Sequence, residues 1–194
     1  MKTEKHFKRN TELEKRIDRI LDSDGHINGQ GRFPVGIMNF GHVHAGFASC
    51  ELIAVYNVLN DLGLHISLSQ IIYDAERLGY LFAGGIFGTK ISKIGKILNH
   101  YGVKSEKVKV SEFKLHSKLN HFQDGDTFIV TIKNRNDLPV CSLHTFEMVY
   151  YEGKWTVYNR FNGDNHASVY SNSDDVLNNG GEKGAYYSIY KIIV

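Results

Sequence analysis

The spacing of apolar residues changes in the middle of the chain, and this change predicts two different structural parts. Before residue 105, apolar positions recur every three or four residues in several segments, which is typical of amphipathic helices. After that point they alternate with polar positions, as in 107–110, or form short runs such as 127–132, and both patterns are typical of strands. Helices followed by antiparallel strands predict an α+β fold.

The length of 194 residues suits one domain with a sizeable core. We expect a single domain over 1–194, with an amphipathic helix within 1–24, a helical part over 25–104 and a sheet part over 105–194. The N-terminal helix is placed at 11–22, because Thr11 and Glu14 form a capping-box pattern before apolar residues at helical spacing.

The segment Cys50–Gly63 is the most informative helical stretch. Its apolar residues form a wide stripe, which predicts a helix that is buried on most sides, and Gly63 is a suitable stop. Cys50 lies in the first turn, where the helix dipole and unpaired N–H groups favour a reactive thiolate. The alternative is that Cys50 is a small buried apolar residue. The stripe contains Leu52, Ile53, Val55, Tyr56, Leu59 and Leu62.

Composition narrows the class of protein. The hydrophobic fraction of 42% is typical of a globular chain, and the net charge of +2 gives no signal for nucleic-acid binding. The sequence has no long apolar run for a membrane span and no apolar segment after the basic N-terminus, so we expect a cytoplasmic protein. Cys50 and Cys141 are too few for a disulfide scaffold, and we expect reduced thiols. A Cys50–Cys141 bridge is the alternative, and it would block thiol chemistry.

A second segment, residues 143–159, supplies the partners that a cysteine nucleophile needs. Two alternating strands flank Glu152–Gly153, which predicts a β-hairpin with His144 and Asn159 near its mouth. Histidine can take the thiol proton as a general base, and asparagine can fix its tautomer. Alternatively, His144 is a core histidine with satisfied hydrogen bonds and Asn159 is a turn residue.

The chain resembles the papain-like cysteine peptidases, and among them the bacterial peptidases that cut leader peptides after a double glycine. The resemblance covers roughly residues 40–163. In that group the nucleophile begins an apolar helix ending in Leu-Gly, as Leu62 and Gly63 do here, and a Gly-Thr pair precedes a later helix, as in Gly88 and Thr89. The resemblance implies a papain-like fold, with an N-terminal helical layer packed on a C-terminal antiparallel sheet. It also implies a catalytic triad of Cys50, His144 and Asn159.

Four positions depart from the pattern of that group. Glu51 and Leu52 replace the Gly-Pro after the nucleophile, and Asn159 replaces the Asp common in the leader peptidases. The Gln expected six positions before the nucleophile, which completes the oxyanion hole, is replaced by His44. We therefore expect the Cys50 main-chain N–H and His44 to stabilise the oxyanion, with Asn39 of the same loop as a competitor.

These residues predict a cysteine peptidase that hydrolyses a peptide bond through a thioacyl-enzyme intermediate. Two alternatives use the same site. The first is a thiol-dependent amidase, acyltransferase or deamidase, and the second is a catalytically weak papain-like pseudoenzyme that binds a peptide without cutting it. The expected partner is a peptide or protein substrate, with no nucleic acid and no membrane span, and the oligomeric state stays open.

Glycine-rich loops at 25–49 and 79–88 flank the predicted groove. The 79–88 loop has no phosphate-loop spacing, and we expect no cofactor. His42 and His44 could bind a metal with Cys50, but the segment offers no further clear ligand, so we expect no metal. The loops are aromatic and poor in acidic residues, which favours an extended apolar or glycine-containing peptide cut after a small residue. The alternative is that these aromatics fill the core. They are Phe33, Phe40, Phe47, Tyr80, Phe82 and Phe87.

Overall fold

The helices of the protein lie mainly in its N-terminal half. A computed structural model describes residues 2–134, 143–179 and 182–194. Cys141 therefore lies outside the described residues, while Cys50 is a free cysteine. The α-helices within the described residues are α1 (Lys2–Glu14), α2 (Ala45–Ala48), α3 (Cys50–Asp61), α4 (Leu68–Arg77), α5 (Ile94–His100) and α6 (Val110–Leu119).

Antiparallel strands dominate the second half and confirm the predicted α+β class. The main sheet of the described chain has the order β3-β10-β4-β5-β6-β7, and two short ribbons, β1-β2 and β8-β9, lie outside it. The strands are β1 (Asn39–Phe40), β2 (Val43–His44), β3 (Lys104–Val108), β4 (Thr127–Lys133), β5 (Leu143–Tyr151), β6 (Lys154–Tyr158), β7 (Ser168–Tyr170), β8 (Asn178–Asn179), β9 (Glu182–Lys183) and β10 (Ala185–Ile193).

Helix α3 is the centre of the helical layer, as its sequence predicts. It begins at Cys50 and ends at Asp61, and Gly63 follows with a φ of 69°, a conformation that glycine adopts without steric cost. Most of its apolar side chains, including Leu52 and Ile53, are fully buried between the neighbouring helices and one face of the sheet, and Tyr56 is partly buried. Helix α3 contacts β5 directly, and Cys50 in its first turn interacts with Thr145 of that strand, the residue after His144.

A second apolar core covers the other face of the sheet. Phe113 of α6 packs there against Phe128 and Trp155, with ring centroids 5.3 and 5.9 Å apart. Alternate residues of β4 enter two different cores, Ile129 the first and Val130 the second, which explains why this strand is apolar on both faces. Strand β5 is apolar only toward the second core, and its other face carries buried polar residues. The predicted hairpin of β5 and β6 is confirmed, with Glu152 and Gly153 both at positive φ in its turn.

The prediction for the N-terminal helix is wrong in its bounds. Helix α1 spans Lys2–Glu14 rather than 11–22, and Thr11 donates a hydrogen bond back to the Phe7 carbonyl at 2.9 Å. The Glu14 carboxylate caps the start of α4 instead of its own helix, accepting from the main-chain N–H groups of Leu68 and Ser69. The capping-box pattern was therefore misleading, because its acidic residue serves a helix far away in sequence.

Candidate functional site

Cys50 and His144 line one cavity between the start of α3 and the sheet. The cavity has a volume of about 880 Å³, within the range of small-molecule and peptide sites. Residues from both glycine-rich loops and from β3, β5 and β10 form its walls. Its lining includes Gln30, Phe47, Cys50, Glu51, Phe82, Phe87, Thr89, Lys107, His144, Arg160, Phe161 and Ser188.

The surroundings of Cys50 favour the neutral thiol, contrary to the expectation from the helix dipole. Burial raises the pKa of this thiol well above its ordinary value, and the charge of Glu51 raises it further. A main-chain hydrogen bond from Thr145 acts in the opposite direction without outweighing these two effects. Only 8% of Cys50 is exposed, so desolvation of the thiolate is the main cause of the raised pKa.

Glu51 is a buried acid beside the thiol, and sequence reasoning treated it only as a departure from a motif. Its Oε2 accepts a hydrogen bond from the Thr89 N–H at 3.3 Å, and burial raises the pKa of its carboxyl to about 7. Gly88 lies so close that a Cβ there would stand 3.1 Å from both carboxylate oxygens. Glycine at that position, with a φ of 77°, therefore leaves room for the acid.

His144 is held in one tautomer by a main-chain acceptor. Its Nε2 lies 2.7 Å from the Asn159 carbonyl oxygen, and because a carbonyl can only accept, Nε2 carries the proton. In this tautomer Nδ1 carries the lone pair that can accept a proton. Burial lowers the pKa of His144 to about 4, so the imidazole is neutral near pH 7.

Asn159 contacts His144 in a way that differs from the predicted role. The expected contact was through its side chain, but the contact observed is through its main-chain carbonyl. The side chain turns to Gln30 instead: Oδ1 accepts from the Gln30 N–H at 3.0 Å, and Nδ2 donates to Gln30 Oε1 at 3.2 Å. Asn159 is fully buried with a φ of 59°, a conformation that asparagine tolerates better than most residues.

The two oxyanion candidates from the sequence lie elsewhere. His44 is exposed in β2, and Asn39 is engaged with α1, where its N–H donates to Asn10 Oδ1 at 2.7 Å. Neither lines the cavity, so the structure places neither candidate beside Cys50. Gln30 does line it, 1% exposed, with Nε2 donating to the Gly46 carbonyl at 3.2 Å. The sequence pointed to Gln30 only through its position in the glycine-rich loop 25–49. Its contact with Asn159 depends on packing between segments that are far apart in the chain.

Arg160 adds a buried positive charge to the cavity wall, which the sequence did not single out. Its Nε donates to the Val176 carbonyl at 2.9 Å and its Nη1 to Asn134 at 3.3 Å. Nη2 has no hydrogen-bond partner within the described residues, although Arg160 is only 1% exposed. A guanidinium with a free donor on a cavity wall can bind a carboxylate or carbonyl oxygen of a ligand.

The metal alternative that joined His42, His44 and Cys50 is not supported by their positions. His42 and His44 are exposed, and His42 pairs with Lys2 at 2.9 Å, away from the thiol. A different group of possible metal ligands surrounds His26 near the end of α3, with Asp61 and Glu147. That group is separate from the Cys50 cavity, whose lining contains none of the three.

Comparisons with known proteins found no match, either to a protein-family model or to a curated protein sequence. Within the part of the chain that the structure describes, no helix has both the length and the hydropathy to cross a bilayer.

Proposed function

We propose that the protein is a papain-like cysteine peptidase with Cys50 as nucleophile and His144 as general base. The observation that carries the proposal is the shared cavity of these two residues, which lie far apart in sequence. The order of a cysteine at a helix start and a histidine on a later sheet also matches the papain-like arrangement. A free thiol at Cys50 suits the reducing cytoplasm, which is the location we propose.

The proposed reaction begins from a neutral thiol and a neutral imidazole. Cys50 Sγ attacks the carbonyl carbon of the peptide bond while its proton passes to Nδ1 of His144. An S–C bond forms, and the carbonyl electron pair moves to oxygen. The C–N bond then breaks, and the amine leaves with the proton from His144. Water, deprotonated by His144, hydrolyses the thioester, which releases the acid and restores the thiol.

Two donors are proposed for the oxyanion. One is the Cys50 main-chain N–H at the start of α3, and the other is the second N–H of the Gln30 side-chain amide. The first N–H of this amide donates to the Gly46 carbonyl, and Gln30 Oε1 accepts a hydrogen bond from the Asn159 side-chain amide. These two bonds fix the orientation of the Gln30 amide. Gln30 thereby takes the role that the sequence assigned to His44.

The rim of the cavity supports an apolar peptide as substrate. Phe47, Phe82 and Phe87 are 72%, 46% and 53% exposed beside the nucleophile, so they are available to cover an extended chain. Phe40, by contrast, is fully buried and belongs to the core. Arg160 offers a donor for a carbonyl or terminal carboxylate of the peptide.

A binding module without turnover is the second candidate, and one observation favours it. The pKa of Cys50 is raised and that of His144 is lowered, so the thiolate–imidazolium pair of an activated cysteine is disfavoured at rest. An amidase, acyltransferase or deamidase would use the same residues, and the identity of the group that accepts the acyl fragment distinguishes it from a peptidase.

A mixed peptide library, read by mass spectrometry, tests the proposal. We expect cleavage by the wild type and by Cys141→Ala, and none by Cys50→Ala, because Cys50 is the proposed nucleophile and lines the cavity at the start of α3. Binding of peptides without new termini would favour the binding module. New amide or acid groups at side chains, without backbone cuts, would indicate deamidation or acyl transfer.

A further inference from the structure

A cluster of acidic side chains and one histidine lies at the opposite end of α3 from Cys50. Asp61 is the last residue of the helix, Glu147 comes from the middle of β5, and His26 comes from the loop after α1. One potential ligand atom from each of these three side chains lies within 4.8 Å of the other two. Three separate parts of the chain therefore converge on one point.

The histidine of this cluster is fixed on several sides. His26 Nε2 lies 2.5 Å from Asp61 Oδ1, and Nδ1 lies 3.4 Å from Asp22 Oδ1. The ring stacks on Tyr158 with centroids 3.9 Å apart. Because the imidazole is 2% exposed, its orientation is set by packing before any ligand binds.

Glu147 is the unexplained member of the cluster. It is fully buried, and neither carboxylate oxygen has a hydrogen-bond partner within the described residues. Among the ion pairs of the described chain, none joins Asp22, Asp61 or Glu147 to a lysine or arginine. His26 already pairs with Asp22 and Asp61. A buried carboxylate without a partner costs several kcal/mol, so Glu147 needs a positive charge beside it, either a proton or a cation.

We propose that His26, Asp61 and Glu147 bind a divalent transition-metal ion of the Zn²⁺ or Mn²⁺ type. One imidazole nitrogen with two carboxylates is a ligand set that such ions accept, whereas Ca²⁺ and Mg²⁺ prefer oxygen ligands alone. Asp61, with a side chain 30% exposed, gives the ion a route from solvent. Asp22 accepts hydrogen bonds from the His26 main-chain N–H and from the Asn28 side chain. It therefore helps to orient His26 and is not one of the proposed ligands.

The ion would connect the end of α3, the sheet and the loop that leads to the cavity. Ile27, next to His26, exchanges two main-chain hydrogen bonds with the Asn57 side chain of α3, at 2.8 and 3.2 Å. Asn28 accepts from the Asn159 N–H at 2.9 Å. The metal is therefore structural, and the inference does not depend on peptidase activity.

Binding of Mn²⁺ to chelator-treated protein, followed by electron paramagnetic resonance, tests this site. Free Mn²⁺ gives a strong signal that is lost on binding, and Mn²⁺ has little affinity for thiols, which keeps Cys50 out of the readout. We expect one ion per chain for the wild type, and at least tenfold weaker binding for Glu147→Gln and for His26→Gln. Glu112→Gln and His121→Gln change exposed residues in and just after α6 and should bind like the wild type.

Thermal unfolding with and without Mn²⁺ distinguishes loss of a metal ligand from general destabilisation of a variant. The wild type should gain stability on adding the ion, whereas Glu147→Gln should show the same midpoint with and without it. Equal Mn²⁺ binding by the wild type and Glu147→Gln would overturn the site. Displacement of Mn²⁺ by an equal concentration of Ca²⁺ would overturn the transition-metal assignment.

Discussion

His144 Nε2 donates to the main-chain carbonyl of Asn159, 2.7 Å away, and the Asn159 side chain takes no part in that bond. The histidine tautomer is therefore set by the path of the backbone, which Asn159 holds at a φ of 59°. The side chain serves a second purpose, because its amide ties Gln30 to the same wall of the cavity. One residue thus connects the proposed base with the proposed oxyanion donor.

Removing the Asn159 side chain should affect stability through two separable causes. Asn159→Gly loses the two hydrogen bonds to Gln30 but keeps a residue suited to positive φ, and we expect it to cost about 2 kcal/mol. Asn159→Ala has the same loss and adds the strain of a left-handed conformation, about 1 kcal/mol more. Urea denaturation of both variants measures the difference. Equal stabilities would mean that the backbone conformation at this position is not a constraint.

Gln30 should matter for turnover more than for substrate binding. Gln30→Ala removes the proposed oxyanion donor, and losses of this kind reduce kcat by about 100-fold or more. Gln30→Glu keeps the size of the side chain but brings negative charge toward the oxyanion, so it should be at least as slow. Steady-state kinetics on the best library peptide separates kcat from KM. An unchanged kcat in both variants would assign the oxyanion to another donor.

Glu51→Gln should make Cys50 more reactive toward iodoacetamide. The Glu51 charge raises the pKa of the thiol, so its removal should increase the thiolate fraction near neutral pH and speed alkylation severalfold. Mass spectrometry of the Cys50 peptide follows the rate, and Glu112→Gln serves as the control because it changes an exposed acid of α6. Slower alkylation of Glu51→Gln would instead identify Glu51 as the base that takes the thiol proton.

The same substitution should change how stability depends on pH. The folded-state pKa of Glu51 lies at about 7, above its ordinary value of 4.5, so its contribution is present at low pH and lost as pH rises through 7. Between about pH 5 and about pH 8 the wild type should lose about 2 kcal/mol relative to Glu51→Gln, which has no charge to bury. Denaturant titrations at the two pH values measure this. Parallel stability changes would show that Glu51 titrates normally.

Local sequence signals were sufficient where an element depends on its own residues. Two examples are the apolar stripe of α3 and the Glu152–Gly153 turn. Each lies within a few residues of the structure that it specifies. The bounds of helix α1 were predicted wrongly because the position of this helix depends on tertiary contacts. Phe7 packs on Tyr73 of α4 with centroids 4.8 Å apart, a contact that no local pattern encodes.

Some residues of the candidate site could be predicted from the sequence, and others depend on packing between distant segments. Sequence order pointed to Cys50 and His144, and the structure places both on one cavity. Gln30 and Arg160 could not be assigned, because their positions on the cavity depend on packing between distant segments. The raised pKa of Cys50 could not be predicted either. The sequence indicates the position of Cys50 in the first turn of a helix, but its burial, which raises the pKa, is a property of the whole fold.

Trapping the acyl-enzyme tests the central claim most directly. The protein is incubated with an activated ester of a short apolar peptide, and intact-mass measurement and peptide mapping locate the acyl group. We expect one acyl group on Cys50 in the wild type, none in Cys50→Ala, and formation slowed by about 100-fold or more in His144→Ala. Acylation confined to Cys141, or an equal rate in the wild type and His144→Ala, would contradict a Cys50 nucleophile served by His144.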